Sequence, residues 1–148
     1  MVGVADPHAP SRDAAVACLS ELGDADGVSA VSDYRALLSD PTVDAVFVCT
    51  PNDHHIEVLR DVLESGKHCM VEKPLCTRVA DLAEVEALAA GTIARARTAG
   101  FQEPVLWCGM EYRYMPTIAK LIDDAASGVV GDLRMLTIRE HRFVRRLL

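Results

Sequence analysis

Residues 43–74 constrain this chain more than any other stretch. They read Val-Asp-Ala-Val-Phe-Val-Cys-Thr-Pro-Asn-Asp-His-His, continue through a helical run, and close on His-Cys-Met-Val-Glu-Lys-Pro. Two short apolar runs, residues 45–49 and 69–71, each end in a polar cluster closed by a proline. Between them Ile56, Val58, Leu59, Val62 and Leu63 recur at the spacing of an amphipathic helix, which Gly66 stops. The pattern predicts a strand–helix–strand unit with a reactive cluster at the carboxyl end of each strand. In open parallel sheets those strand ends are where ligands bind.

The flanking sequence extends the same alternation. Residues 2–5 form a brief apolar run cut off by Asp6-Pro7, and Ser11 is placed to cap a helix over about 12–22 that Gly23 ends. Ala15, Val16, Leu19 and Leu22 would form its inner face. A strand at 28–31 and a small helix through Leu37 and Leu38 precede the opening unit. After Pro74, Thr77 is expected to cap a helix over about 79–90 whose stripe is Leu82, Val85 and Leu88. Residues 91–104 read either as an extension of that helix or as a surface loop. A strand at 105–108, an aromatic and charged turn at 110–115, a helix from Pro116 to about Ala126 and a strand starting at 133–138 complete the reading. Strands alternating with helices at this spacing mean an α/β fold, a parallel sheet with helices on both faces.

Length and charge narrow the class. A chain of 148 residues supports one domain with a real core. A formal charge of −7 argues against nucleic acid or anionic membrane as partners. No apolar run approaches the ~20 residues of a membrane helix, and the first residues lack the basic start of a signal peptide. Five cysteines with no Cys-x-x-Cys pair argue against a disulfide framework or zinc knuckle and make a reducing cytoplasm the expectation. His54 and His55 are adjacent and match no metal-ligand spacing, so no metal is expected.

Asp6-Pro7 after a strand, Cys49-Thr50-Pro51-Asn52 with His55, Gly66-Lys67-His68 before a strand, Glu72-Lys73-Pro74, and Tyr112-Arg113-Tyr114-x-Pro116 occur together in order. This combination resembles the nucleotide-binding half of the glucose–fructose oxidoreductase / inositol 2-dehydrogenase (Gfo/Idh/MocA) family over roughly residues 2–138. The resemblance implies a Rossmann-like domain binding NAD, with NADP as the alternative, at residues 1–127. A larger α+β domain would begin at 128–148, hold a sugar, cyclitol or related hydroxyl substrate and shape a homo-oligomer. Two departures stand out. The family's first strand and its Gly-x-Gly-x-x-Gly turn have no counterpart here, which predicts a sheet with unpaired edges on the strands at 2–5 and 45–49. The second domain is represented only by its start. The expectation is therefore a fragment with little activity of its own, either the cofactor-binding part of an oxidoreductase or a non-catalytic binding module.

The resemblance also assigns roles. Asp6 would accept the adenosine ribose hydroxyls and favour NAD, with His8 or Arg12 softening that preference; the plainer reading is a solvated turn aspartate. Thr50, Pro51 and Asn52 would lie at the switch point where the cofactor crosses the sheet edge, with Asn52 and His55 lining the nicotinamide side, while Asn52 or Asp53 equally suits a helix cap. Lys73 is the candidate catalytic residue, assisting proton movement at the substrate oxygen, with Glu72 on the nicotinamide ribose and Pro74 limiting backbone freedom. The alternative is a surface Glu-Lys pair worth little. Arg113 resembles an arginine near the cofactor and the domain junction, or it stacks on its tyrosine neighbours. The arginines of residues 139–148 are too few to argue nucleic-acid binding.

Overall fold

A computed structural model describes residues 1–24 and 26–139. The chain divides into two compact units, Met1–Gly109 and Met110–Leu148.

In the first unit β1 (Gly3–Ala5), α1 (Ala9–Glu21), β2 (Ser29–Val31) and α2 (Arg35–Leu38) precede β3 (Ala45–Val48), α3 (His55–Ser65), β4 (His68–Val71), α4 (Val79–Ala99) and β5 (Leu106–Cys108). All strand pairs are parallel, as the alternation predicts. They form two sheets rather than one: β1 pairs with β2, while β3, β4 and β5 form a separate three-stranded sheet in that order. Among the described residues β1 and β3 do not pair, and each keeps one open edge.

Helix α3 is the centre of the core because its apolar spacing puts one stripe against the sheet. Val58, Leu59, Val62 and Leu63 are buried together with Val48, Cys69 and Val71 from the strands and Val85 from α4. Burying a leucine such as Leu59 contributes roughly 1.5–3 kcal/mol. Gly66 ends the helix at φ 76°, a left-handed conformation that glycine adopts at little cost. The register sets Phe47, Met70 and Trp107 in one row across the sheet. They project opposite to the Val48–Val71–Cys108 row that α3 and α4 cover, and Phe47 is 70% exposed.

Several local expectations are corrected. Helix α1 starts earlier than Arg12, with Pro10 in its first turn, and its flanking residue is His8 rather than Ser11. The Ser11 hydroxyl lies 3.0 Å from His8 Nδ1 instead of capping the helix. Leu22 lies past the helix and is exposed, so the inner face is Ala15, Val16 and Leu19, each half-buried. Helix α4 resolves the ambiguity at 91–99 in favour of helix. Thr92 donates from its hydroxyl to the carbonyls of Leu63 and Leu88, both at 2.9 Å, fastening α4 to the end of α3. The helix stops only at Gly100, φ 72°. Its buried stripe is Asp81, Val85 and Thr92, with Leu88 beside them and Leu82 exposed. Arg78, not Thr77, flanks its start, and the Arg78 guanidinium pairs with the Asp81 carboxylate at 2.8 Å.

The second unit holds a 3₁₀ turn at Glu111–Tyr114 and α5 (Pro116–Ala126), which begins at proline as read from the sequence. The strand expected at 133–138 does not form. Among the described residues nothing pairs with it, and an extended segment without a partner has no ladder to join. Residues 140–148 of the basic tail lie outside the described residues.

Candidate functional site at the carboxyl edge of the three-stranded sheet

Pairing of Val48 with Val71 and of Val71 with Cys108 sets the carboxyl ends of β3, β4 and β5 side by side. The ladder runs to its last rungs there: Glu72 N–H donates to the Val48 carbonyl at 2.9 Å and Gly109 N–H to the Val71 carbonyl at 2.8 Å. Two turns rise from this edge, Thr50–Pro51–Asn52 after β3 and Glu72–Lys73–Pro74 after β4.

Thr50 is half-buried, and its Oγ1 is enclosed with no hydrogen-bond partner. Among the described residues this hydroxyl is an unsatisfied buried group, closed off from the surface of the edge. Pro51 and Asn52 are exposed. Neither Asn52 nor Asp53 caps α3 through its side chain, so the capping alternative is not realised and the Asn52 amide is left at the surface. His55 differs from both: its ring is fully buried and bonded to the carbonyls of Thr50 and Pro74. It therefore presents no ring atom to a cleft.

Glu72 is half-buried and its Oε2 accepts the Lys73 backbone N–H at 3.1 Å. Its charge is felt on both sides. Burial first, and then the Glu72 carboxylate, push the Cys49 and Cys108 thiols upward, keeping both protonated at the strand ends. The Lys73 side chain is exposed, and among the described residues its ammonium has no ion pair. The surface Glu-Lys pair that the dipeptide suggests is thus not made. The Lys73–Pro74 bond is cis.

Asp6 lies at the carboxyl end of β1, in the other sheet. One carboxylate oxygen accepts the His8 N–H at 2.7 Å, and the Arg12 guanidinium donates to the Asp6 carbonyl at 2.6 Å. The turn role is real and uses one of the two carboxylate oxygens. Arg12 stands beside it as a cation. Arg113 belongs to the second unit, exposed in its 3₁₀ turn. The structure thus gathers Thr50, Pro51, Asn52, Glu72, Lys73 and Pro74 at one edge over His55, with Asp6 on the second sheet.

Sequence reasoning gave no role to Lys67. Its ammonium donates to the carbonyls of Asp40 at 2.9 Å and Val43 at 2.6 Å, fixing the amino ends of β3 and β4. A lysine directly after a helix-ending glycine and before a strand was the only available signal.

At this edge the exposed Lys73 ammonium, without an ion pair among the described residues, stands on the turn next to Thr50–Pro51–Asn52. Comparison with known proteins identifies the family. Residues 1–98 match the oxidoreductase family with NAD-binding Rossmann fold. An uncharacterized oxidoreductase of Bacillus subtilis is 34% identical over 107 residues, 72% of this chain and 28% of that protein. Myo-inositol 2-dehydrogenase of Thermotoga maritima is 30% identical over 121 residues, 81% of this chain and 33% of that protein. Among solved structures, a 3-ketoreductase from Actinomadura kijaniata, in complex with TDP-benzene and NADP, superposes with a TM-score of 0.62 at 28% identity. The alignment covers 90% of this chain and 36% of that one. The chain thus spans about a third or less of the length of these relatives. It belongs to the Gfo/Idh/MocA oxidoreductase family, through that family's NAD-binding Rossmann domain.

Proposed function

We propose that this chain supplies the nicotinamide-facing part of an oxidoreductase that moves hydride between NAD(P) and a sugar, cyclitol or related hydroxyl substrate. The observation that carries the reading is the exposed Lys73 ammonium, which has no ion pair among the described residues, on the turn next to Thr50–Pro51–Asn52. The dinucleotide, when bound, supplies the hydride chemistry.

The chain's own residues do the rest. The turn Thr50–Pro51–Asn52 borders the cofactor where it crosses the sheet edge. Lys73 Nζ hydrogen-bonds the substrate oxygen: as the neutral amine it takes the hydroxyl proton when hydride leaves the carbon, and as the ammonium it gives that proton back to the developing alkoxide in the reverse direction. Glu72 steadies the Lys73 backbone through its N–H and offers its remaining oxygen to the nicotinamide ribose. Pro51, Asn52 and Pro74 shape the cleft wall, with His55 beneath. Asp6 takes the adenosine ribose, favouring NAD, while the nearby Arg12 leaves room for NADP. The family resemblance assigns Arg113 to the cofactor, the start of the α+β domain to residue 128, and oligomerisation to that domain. Five free cysteines support a reducing, cytoplasmic setting. No helix among the described residues is long and apolar enough to cross a membrane.

The separation into two sheets favours a second reading, a dinucleotide-binding module without turnover. Assay of the purified chain with NAD and a panel of polyols separates them. The first reading, for a part of an enzyme, expects binding and a trace of turnover that Lys73→Ala abolishes. Binding with no turnover that responds to Lys73 supports the module, and absence of dinucleotide binding rejects both.

A further inference from the structure

His55 opens α3, yet its side chain is 0% exposed. Nδ1 lies 2.7 Å from the Pro74 carbonyl oxygen and Nε2 lies 2.8 Å from the Thr50 carbonyl oxygen. Both partners are main-chain carbonyls, which accept and never donate. A neutral imidazole carries one N–H and would turn a lone pair toward the other carbonyl. A ring with hydrogen on both nitrogens satisfies both. A cation here opposes the dipole at the amino end of α3 and its own burial, so the two carbonyls must offset both costs.

The two carbonyls belong to the two turns of the candidate site. Thr50 leads into Pro51 and Asn52, and Pro74 directly follows Lys73. The last ladder bond beneath these turns runs from Glu72 N–H to the Val48 carbonyl. Beyond it the His55 ring bridges them. The geometry points to His55 as a positioning residue: a doubly protonated ring that pins the Thr50 turn to the Pro74 turn and sets where Lys73 stands. It acts through those turns and touches neither substrate nor cofactor. The relevance to hydride transfer rests on the function proposed above, whereas the clamp rests on the ring geometry alone.

Nuclear magnetic resonance of the full chain labelled with ¹³C and ¹⁵N tests it. The wild-type His55 ring is expected to show two slowly exchanging N–H groups, coupled through hydrogen bonds to the carbonyls of Thr50 and Pro74. His55→Gln keeps a donor at only one end; it should speed amide exchange in both turns and weaken NAD binding about tenfold. His54→Gln, at the exposed neighbour, should change neither. A ring with one bare nitrogen overturns the clamp, as does a folded His55→Gln chain perturbed in only one turn. If that variant does not fold, the wild-type ring spectrum decides. A wild-type chain with the doubly protonated ring that does not bind NAD overturns the functional reading and leaves the clamp standing.

Discussion

Lys67 Nζ sits 2.6 Å from the carbonyl oxygen of Val43, tying the entrance of β4 to that of β3 at the end of the sheet opposite the candidate site. The same ammonium takes the Asp40 carbonyl at 2.9 Å. Replacement by methionine keeps much of the stem and leaves both carbonyls without this partner. Lys67→Met should therefore cost about 1–3 kcal/mol in urea unfolding, while chemical shifts at residues 50–52 and 72–74 stay close to wild type.

Asp40 itself gives a pH signature. The Thr42 hydroxyl and then its backbone N–H hold the Asp40 carboxyl below the usual range. A carboxyl lowered in the folded state contributes stability above its unfolded value near about 3.9, and that contribution is lost as pH falls through the folded value. Asp40→Asn should flatten the acid limb of a stability–pH profile and leave its slope between pH 6 and 8 unchanged.

The core and the open sheet face respond oppositely to truncation. Leu59 is fully buried at the centre of the α3 stripe, and Leu59→Ala should destabilise the chain by roughly 2–5 kcal/mol. Phe47, in the exposed row, should tolerate serine within about 1 kcal/mol. Thermal melts of the two variants beside wild type measure the contrast.

Thiol labelling reads the same asymmetry. Burial pushes the Cys69 thiol up to about 12, and it lies in the core. Cys18 and Cys49 are exposed. Under native conditions a maleimide should modify Cys18 first, Cys49 more slowly because its raised thiol yields less thiolate, and Cys69 only at the rate of unfolding.

Much of this was legible because periodicity is a local property. The apolar spacing of Ile56 through Leu63 and the glycine at 66 located α3, and the flanking runs located β3 and β4. The mixed character of residues 91–104 left the end of helix α4 open between helix and loop, and the helix continues to Ala99 with Thr92 bonded to a carbonyl on α3. The strand at 133–138 failed for the opposite reason: apolar alternation promises a strand only when another strand is there to pair with it. At the site, the family resemblance named Thr50, Glu72 and Lys73. They could not show that His55 faces inward to two carbonyls or that the Thr50 hydroxyl lacks a partner. Those facts depend on the distance between turns far apart in sequence.

Mapping of amide shifts during titration of the labelled chain with NAD tests the central claim most directly. The account predicts saturable changes centred on Thr50–Asn52 and Glu72–Pro74, extending to Asp6, and reduced in Lys73→Ala. Absence of saturable change, or change confined to residues away from the carboxyl edge of β3 and β4, would contradict it.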